Sequence, residues 1–171
     1  CAQSMKDVTT EYSLSSQKAK LLGSTQDQLK AKVQELSGKV DAQREKIKAH
    51  NTYSDKMKTA LQQAKDKEKD LKEQIAATEA ALQKSTEETG ENSDETKALA
   101  SELESLKKKL SNTESTIETT TKKLKENEKQ TEYANRELAN METELGQVQQ
   151  KLSTLKLKEL GEGMQKAGEK I

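Results

Sequence analysis

Residues 85–96 read Ser85-Thr86-Glu87-Glu88-Thr89-Gly90-Glu91-Asn92-Ser93-Asp94-Glu95-Thr96, a stretch with no apolar side chain larger than the threonine methyl. Gly90 suits the left-handed backbone conformation that closes a helix C-terminus. Asn92 followed by Glu95 has capping-box spacing, and Asp94 stands in the first turn, where the helix dipole favours an acid. A helix stop followed at once by a helix start predicts a tight αα-hairpin with its turn over residues 90–92.

Apolar residues recur on both sides of this segment at the spacing of a coiled coil. Before it, position a falls on Met5, Tyr12, Ala19, Gln26, Val33, Val40, Ile47, Ser54, Leu61, Glu68, Ile75 and Leu82. Position d falls on Val8, Ser15, Leu22, Leu29, Leu36, Gln43, His50, Met57, Ala64, Leu71, Thr78 and Ser85. After it, a falls on Leu103, Leu110, Ile117, Leu124, Thr131, Leu138, Leu145 and Leu152, and d on Leu99, Leu106, Thr113, Thr120, Asn127, Ala134, Met141, Val148 and Leu155. A stripe this narrow buries little unless a second helix runs along it.

Two arrangements satisfy the stripes. The expected one is an all-α, long antiparallel coiled-coil hairpin, with helix 1 over 5–89, helix 2 over 93–160 and a frayed tail over 161–171. Its length would be about 100–125 Å at 1.5 Å per residue. The alternative is one continuous helix in a parallel dimeric or trimeric coiled coil, and one fact speaks for it: the heptad phase is unbroken across residues 85–96, which a single helix preserves automatically.

Layer pairing favours the hairpin. Folding the chain so that facing residue numbers sum to 181 sets Leu71 against Leu110, Ile75 against Leu106, Met57 against Leu124, Ala64 against Ile117, Val40 against Met141 and Leu36 against Leu145. The polar positions coincide too: Glu68 with Thr113, Ser54 with Asn127, His50 with Thr131. Apolar residues thereby meet apolar residues, while polar ones share layers in which they can hydrogen-bond. Flanking charges add a smaller vote, with Lys46/Glu137, Lys39/Glu144 and Lys65/Glu114 attracting and Lys72/Lys107 and Lys32/Lys151 repelling; exposed pairs of this kind contribute about 0.2–1 kcal/mol each.

Composition limits the functions on offer. Hydrophobic residues make up 30% of the 171 positions and aromatics 2%, with neither Phe nor Trp, so a thick globular core is not expected. Thirty basic residues balance thirty acidic ones, and only Arg44 and Arg136 are arginines. No strong field steers the chain to nucleic acid, and the planar group that reads bases is scarce. No apolar run is long enough to span a bilayer. The sequence holds no glycine-rich phosphate loop and no nucleophile-histidine-acid set, so no catalytic residue, cofactor or metal site is expected.

Single residues are weighed on the same terms. His50, the sole histidine, stands at d with no converging ligands, and reads as a polar layer residue whose protonation in mild acid could loosen the seam. Glu68, at a, is flanked by Lys65, Lys67, Lys69 and Lys72, and its carboxylate is expected to reach out to them. Asn127, at d, is a polar residue of the type that can fix alignment. With Gln43, Ser54, Thr113, Thr120 and Thr131 these residues mark a softer middle of the seam. Leu157 and Leu160 leave the heptad phase, and Gly161, Gly163 and Gly168 punctuate the tail.

Cys1-Ala2-Gln3-Ser4 resembles the start of a processed bacterial lipoprotein, which implies a lipid anchor at Cys1 and a cell-surface or extracellular setting. A fragment boundary and a disulfide to a second chain are the other readings of Cys1. The expected function is that of a structural rod or spacer assembling through helix packing, with self-association into a dimer or larger bundle; the alternative is a surface adhesin or helical protein-interaction module.

Overall fold

The computed structural model describes the backbone of residues 2–169 and the side chains at position 23 and over 25–169. The expected layers at Met5, Val8, Tyr12, Ser15, Ala19 and Leu22 lie outside the described side chains, and Cys1 lies outside the described residues altogether. Two helices account for the chain: α1, Ala2–Thr89, and α2, Asp94–Gly168. They pack against each other as an all-α helical hairpin. Proline is absent, and Lys, Glu, Gln, Ala and Leu, all strong helix formers, fill most of both elements.

The stripe became the seam. From Gln26 to Leu155, every a and d position outside residues 89–92 is buried or half-buried, while nearly every other position is exposed. The antiparallel register summing to 181 is seen directly in cross-helix hydrogen bonds between Ser85 and Thr96 at 2.8 Å and from Asn127 to Ser54 at 2.9 Å. It is seen again in the apolar cluster of Leu71, Ile75 and Leu106, with Leu103 and Leu110 packed against them.

Contacts group the chain into two compact units, one of residues 47–133 and one of 1–46 with 134–171. The first holds the turn and the Leu71–Ile75–Leu106 cluster. The second is built on Leu36, Val40 and Ala134, which expose 2%, 3% and 1% of their surface. Full burial of side chains such as Leu36 contributes about 1.5–3 kcal/mol apiece.

The turn differs in detail from the sequence expectation. Gly90 has φ +86°, and among the described residues it is the only one with positive φ. Its N–H donates to Thr86 O at 3.0 Å, closing α1. The cap of α2 is Ser93, not Asn92: Thr96 N–H donates to Ser93 Oγ at 3.2 Å and Lys97 N–H to Ser93 O at 3.0 Å. The turn therefore occupies residues 90–93 and α2 starts at Asp94. Ser93 prevails because its Oγ also donates to Thr96 Oγ1 at 2.7 Å, so capping and the Ser85/Thr96 layer share one set of hydroxyls.

At its other end α2 runs on to Gly168 rather than stopping at 160, and Glu169 N–H still donates to Gln165 O. Gly161 and Gly163 keep negative φ. An interior glycine costs about 1 kcal/mol of helix propensity without interrupting the hydrogen-bond ladder, so glycine alone does not end a helix.

Candidate functional site

The polar layers are the chemically distinctive part of the seam, and each unit carries at least one besides the hydroxyl cluster at the turn. In the unit of residues 47–133, Asn127 of α2 is 7% exposed and ties three groups of α1. Its Nδ2 donates to His50 O and to Ser54 Oγ, both at 2.9 Å, leaving Oδ1 to face His50 Nδ1 at 2.8 Å. Because Oδ1 can only accept, Nδ1 must carry the proton, which fixes the imidazole tautomer. The sequence paired His50 with Thr131; the side-chain bond instead reaches one turn along α2 to Asn127, while Thr131 Oγ1 donates to Asn127 O within its own helix. The longer reach of an amide over a threonine hydroxyl accounts for the change of partner.

In the unit of residues 1–46 and 134–171, Gln43 is 7% exposed, and its Nε2 donates to Ala134 O at 2.9 Å and to Glu137 Oε2 at 3.3 Å. The reach to a backbone carbonyl depends on residue 134 being alanine, because a longer side chain there would stand between the two helices. Among the described residues no buried side-chain N or O atom lacks a hydrogen-bond partner. That is the condition under which buried polar layers are tolerated rather than strongly destabilising.

Glu68 behaves as its lysine neighbours suggest: its carboxylate turns outward and pairs with Lys72, the side chain remaining 24% exposed. The Lys72/Lys107 repulsion foreseen from sequence is relieved, since Lys72 turns to Glu68 and Lys107 crosses to Glu79 at 3.2 Å. Arg44–Glu142 at 2.9 Å and Lys32–Glu144 at 4.0 Å are further cross-helix ion pairs, in place of the expected Lys46/Glu137 and Lys39/Glu144. Lys39 instead pairs with Glu35 along α1. A hydrogen bond from Lys39, then the charges of Lys32 and Lys39, holds the Glu35 carboxyl below its ordinary value, and the same bond raises Lys39. Glu118 is lowered in the same way by Lys122.

The surface offers little enclosure. A concavity of about 640 Å³ is lined by Gln147, Gln150, Lys151, Thr154, Leu155 and Lys158, and one of about 480 Å³ by residues 65–76; the described lining of each comes from one helix. Among the described residues no group of three or more His, Cys, Asp or Glu is placed to hold a metal ion, and no helix is long and apolar enough to cross a membrane. Leu157, Leu160 and Met164 are 67%, 63% and 71% exposed on the last turns of α2, as their departure from the heptad phase implies. Comparison with family models, with curated proteins and with solved structures finds no match to this chain.

Proposed function

We propose that the protein is a non-enzymatic structural spacer or assembly element that works through helix packing. The observation that carries this reading is the confinement of burial to one a/d seam: the outward positions of both helices are almost all exposed and polar, and the titratable groups among them pair with neighbours on the surface. Electrostatic catalysis needs preorganised dipoles in a water-excluded cleft, and a seam filled by its own side chains provides a poor setting for it. Small-angle X-ray scattering tests the proposal. A radius of gyration near about 15 Å, the value for a compact domain of this length, would overturn the spacer reading.

A second reading, a helical protein-interaction module, draws on Leu157, Leu160 and Met164, whose spacing places three exposed apolar side chains on one face of α2. Replacing all three with Gln separates the readings. Loss of partner capture with unchanged helicity favours the module, and unchanged assembly with no partner to lose favours the spacer.

A further inference from the structure

Two features of the chain combine into a consequence that neither has alone. The hairpin pairs its helices in the register summing to 181, and the heptad phase runs unbroken from α1 through residues 90–93 into α2. If the turn straightens into helix, both seams fall on one face of one helix, because position a continues from Leu82 through Thr89 and Thr96 to Leu103. Two such open chains laid antiparallel bring residue n of one copy opposite residue 181 − n of the other. Every cross-helix layer of the hairpin is then rebuilt between copies: Ile75 on Leu106, Ser54 on Asn127, Ser85 on Thr96. We propose that the chain forms an exchanged antiparallel dimer in which residues 90–93 act as the hinge and the partner is a second copy of this chain.

The hinge composition fits such an exchange. The layers created at its centre are Thr89 against Asn92, and both residues are exposed in the hairpin and able to hydrogen-bond to each other across the new seam. Gly90, at φ +86°, is the one backbone element among the described residues that holds the closed form in a conformation an L side chain rarely adopts. A Cβ at Gly90 would meet nothing within 4 Å, so a substitution there acts through the backbone and not through a clash with neighbours. The seam interface is isologous in this dimer, closes on itself, and apart from the new Thr89/Asn92 layers at the hinge uses the surface already buried in the hairpin. The inference deepens the assembly reading above and rests on it.

Gly90→Ala is the deciding variant. Alanine disfavours the left-handed turn by about tenfold and favours continuous helix by about fivefold per chain, so two chains raise the dimerisation constant by about 2,500-fold. Sedimentation equilibrium measures that constant. Gly38→Ala is the control: residue 38 is helical in both forms, meets nothing within 4 Å, and leaves the constant unchanged. Insertion of Gly-Ser after Gly90 throws the two seams out of phase in a continuous helix while only lengthening a surface loop, and is expected to abolish the dimer and keep the folded monomer.

Spin labels at Gln62 and Thr119, with Cys1 replaced by Ser, report the exchange. In Gly90→Ala refolded with excess unlabelled protein, the exchanged dimer loses the short intrachain distance, which becomes about 85 Å along one helix, while circular dichroism stays helical. A Gly90→Ala constant within tenfold of wild type overturns the proposal. So does a dimer that keeps the short intrachain distance, an outcome that leaves assembly standing and removes only the exchange. A chain monomeric in every variant removes both.

Discussion

Asn127→Ala should destabilise the unit of residues 47–133 by about 2–4 kcal/mol. The substitution deletes three hydrogen bonds, from Nδ2 to His50 O and Ser54 Oγ and from His50 Nδ1 to Oδ1, each with a net contribution of about 0.5–1.5 kcal/mol. It also opens a void at a position only 7% exposed, although His50, half-buried, can recover part of the loss from water. Asn127→Leu loses the same bonds but fills the space and adds apolar burial, so its cost should fall to about 1 kcal/mol or less. Guanidinium unfolding followed by helical circular dichroism gives both values, with hydrogen exchange over residues 47–133 locating the loss. A double-mutant cycle with His50→Ala should show coupling of about 1 kcal/mol. If Asn127→Ala unfolds within about 0.5 kcal/mol of wild type, the network is not an energetic element of the seam and the reasoning is wrong.

Ile75→Ala, in the cluster with Leu71 and Leu106, should cost about 2–4 kcal/mol by the same unfolding assay. Gly146→Ala should stabilise by about 0.5–1 kcal/mol, since residue 146 is helical with negative φ and a Cβ there meets nothing within 4 Å; a loss of stability would show an unseen constraint. Glu35 and Glu118 have folded pKa values lowered by Lys39 and Lys122, so their contribution is present above the ordinary value of 4.5 and is lost as pH falls through the folded value. Both groups are exposed, so the effect should be small and salt-sensitive; carboxyl NMR titration of Lys39→Met should return Glu35 toward 4.5, and an unmoved midpoint would contradict the pairing.

The fold was legible because the apolar stripe, the antiparallel register and the stop at Gly90 are all written in residue spacing. Leu71 finds Leu110 and Ser85 finds Thr96 because period and phase alone determine which faces meet. What the sequence left undetermined depends on reach. Residue spacing pointed to Asn92 as the cap, and the hydroxyl cluster of Ser93 with Thr96 and Ser85, which spacing does not reveal, moves it to Ser93. Gln43 reads as a weak layer, yet it reaches the Ala134 carbonyl, one turn from its facing residue Leu138, where a small side chain leaves the backbone accessible, a signal visible only once the helices are side by side. Surface ion pairs were the least legible, since long Lys and Glu side chains choose among partners one turn apart at nearly equal energy, as Lys39 does in turning to Glu35.

The hairpin itself is tested most directly by a distance within one chain. Gln34 and Gln147 are both exposed and sum to 181, and both belong to the unit of residues 1–46 and 134–171. Spin labels at these two positions, with Cys1 replaced by Ser and the protein kept dilute among excess unlabelled chain, should lie about 10–25 Å apart, because packed helix axes run about 8–10 Å from each other and the labels add reach. A single continuous helix would separate them by about 170 Å. Absence of the short distance in folded, dilute, monomeric protein would contradict the hairpin.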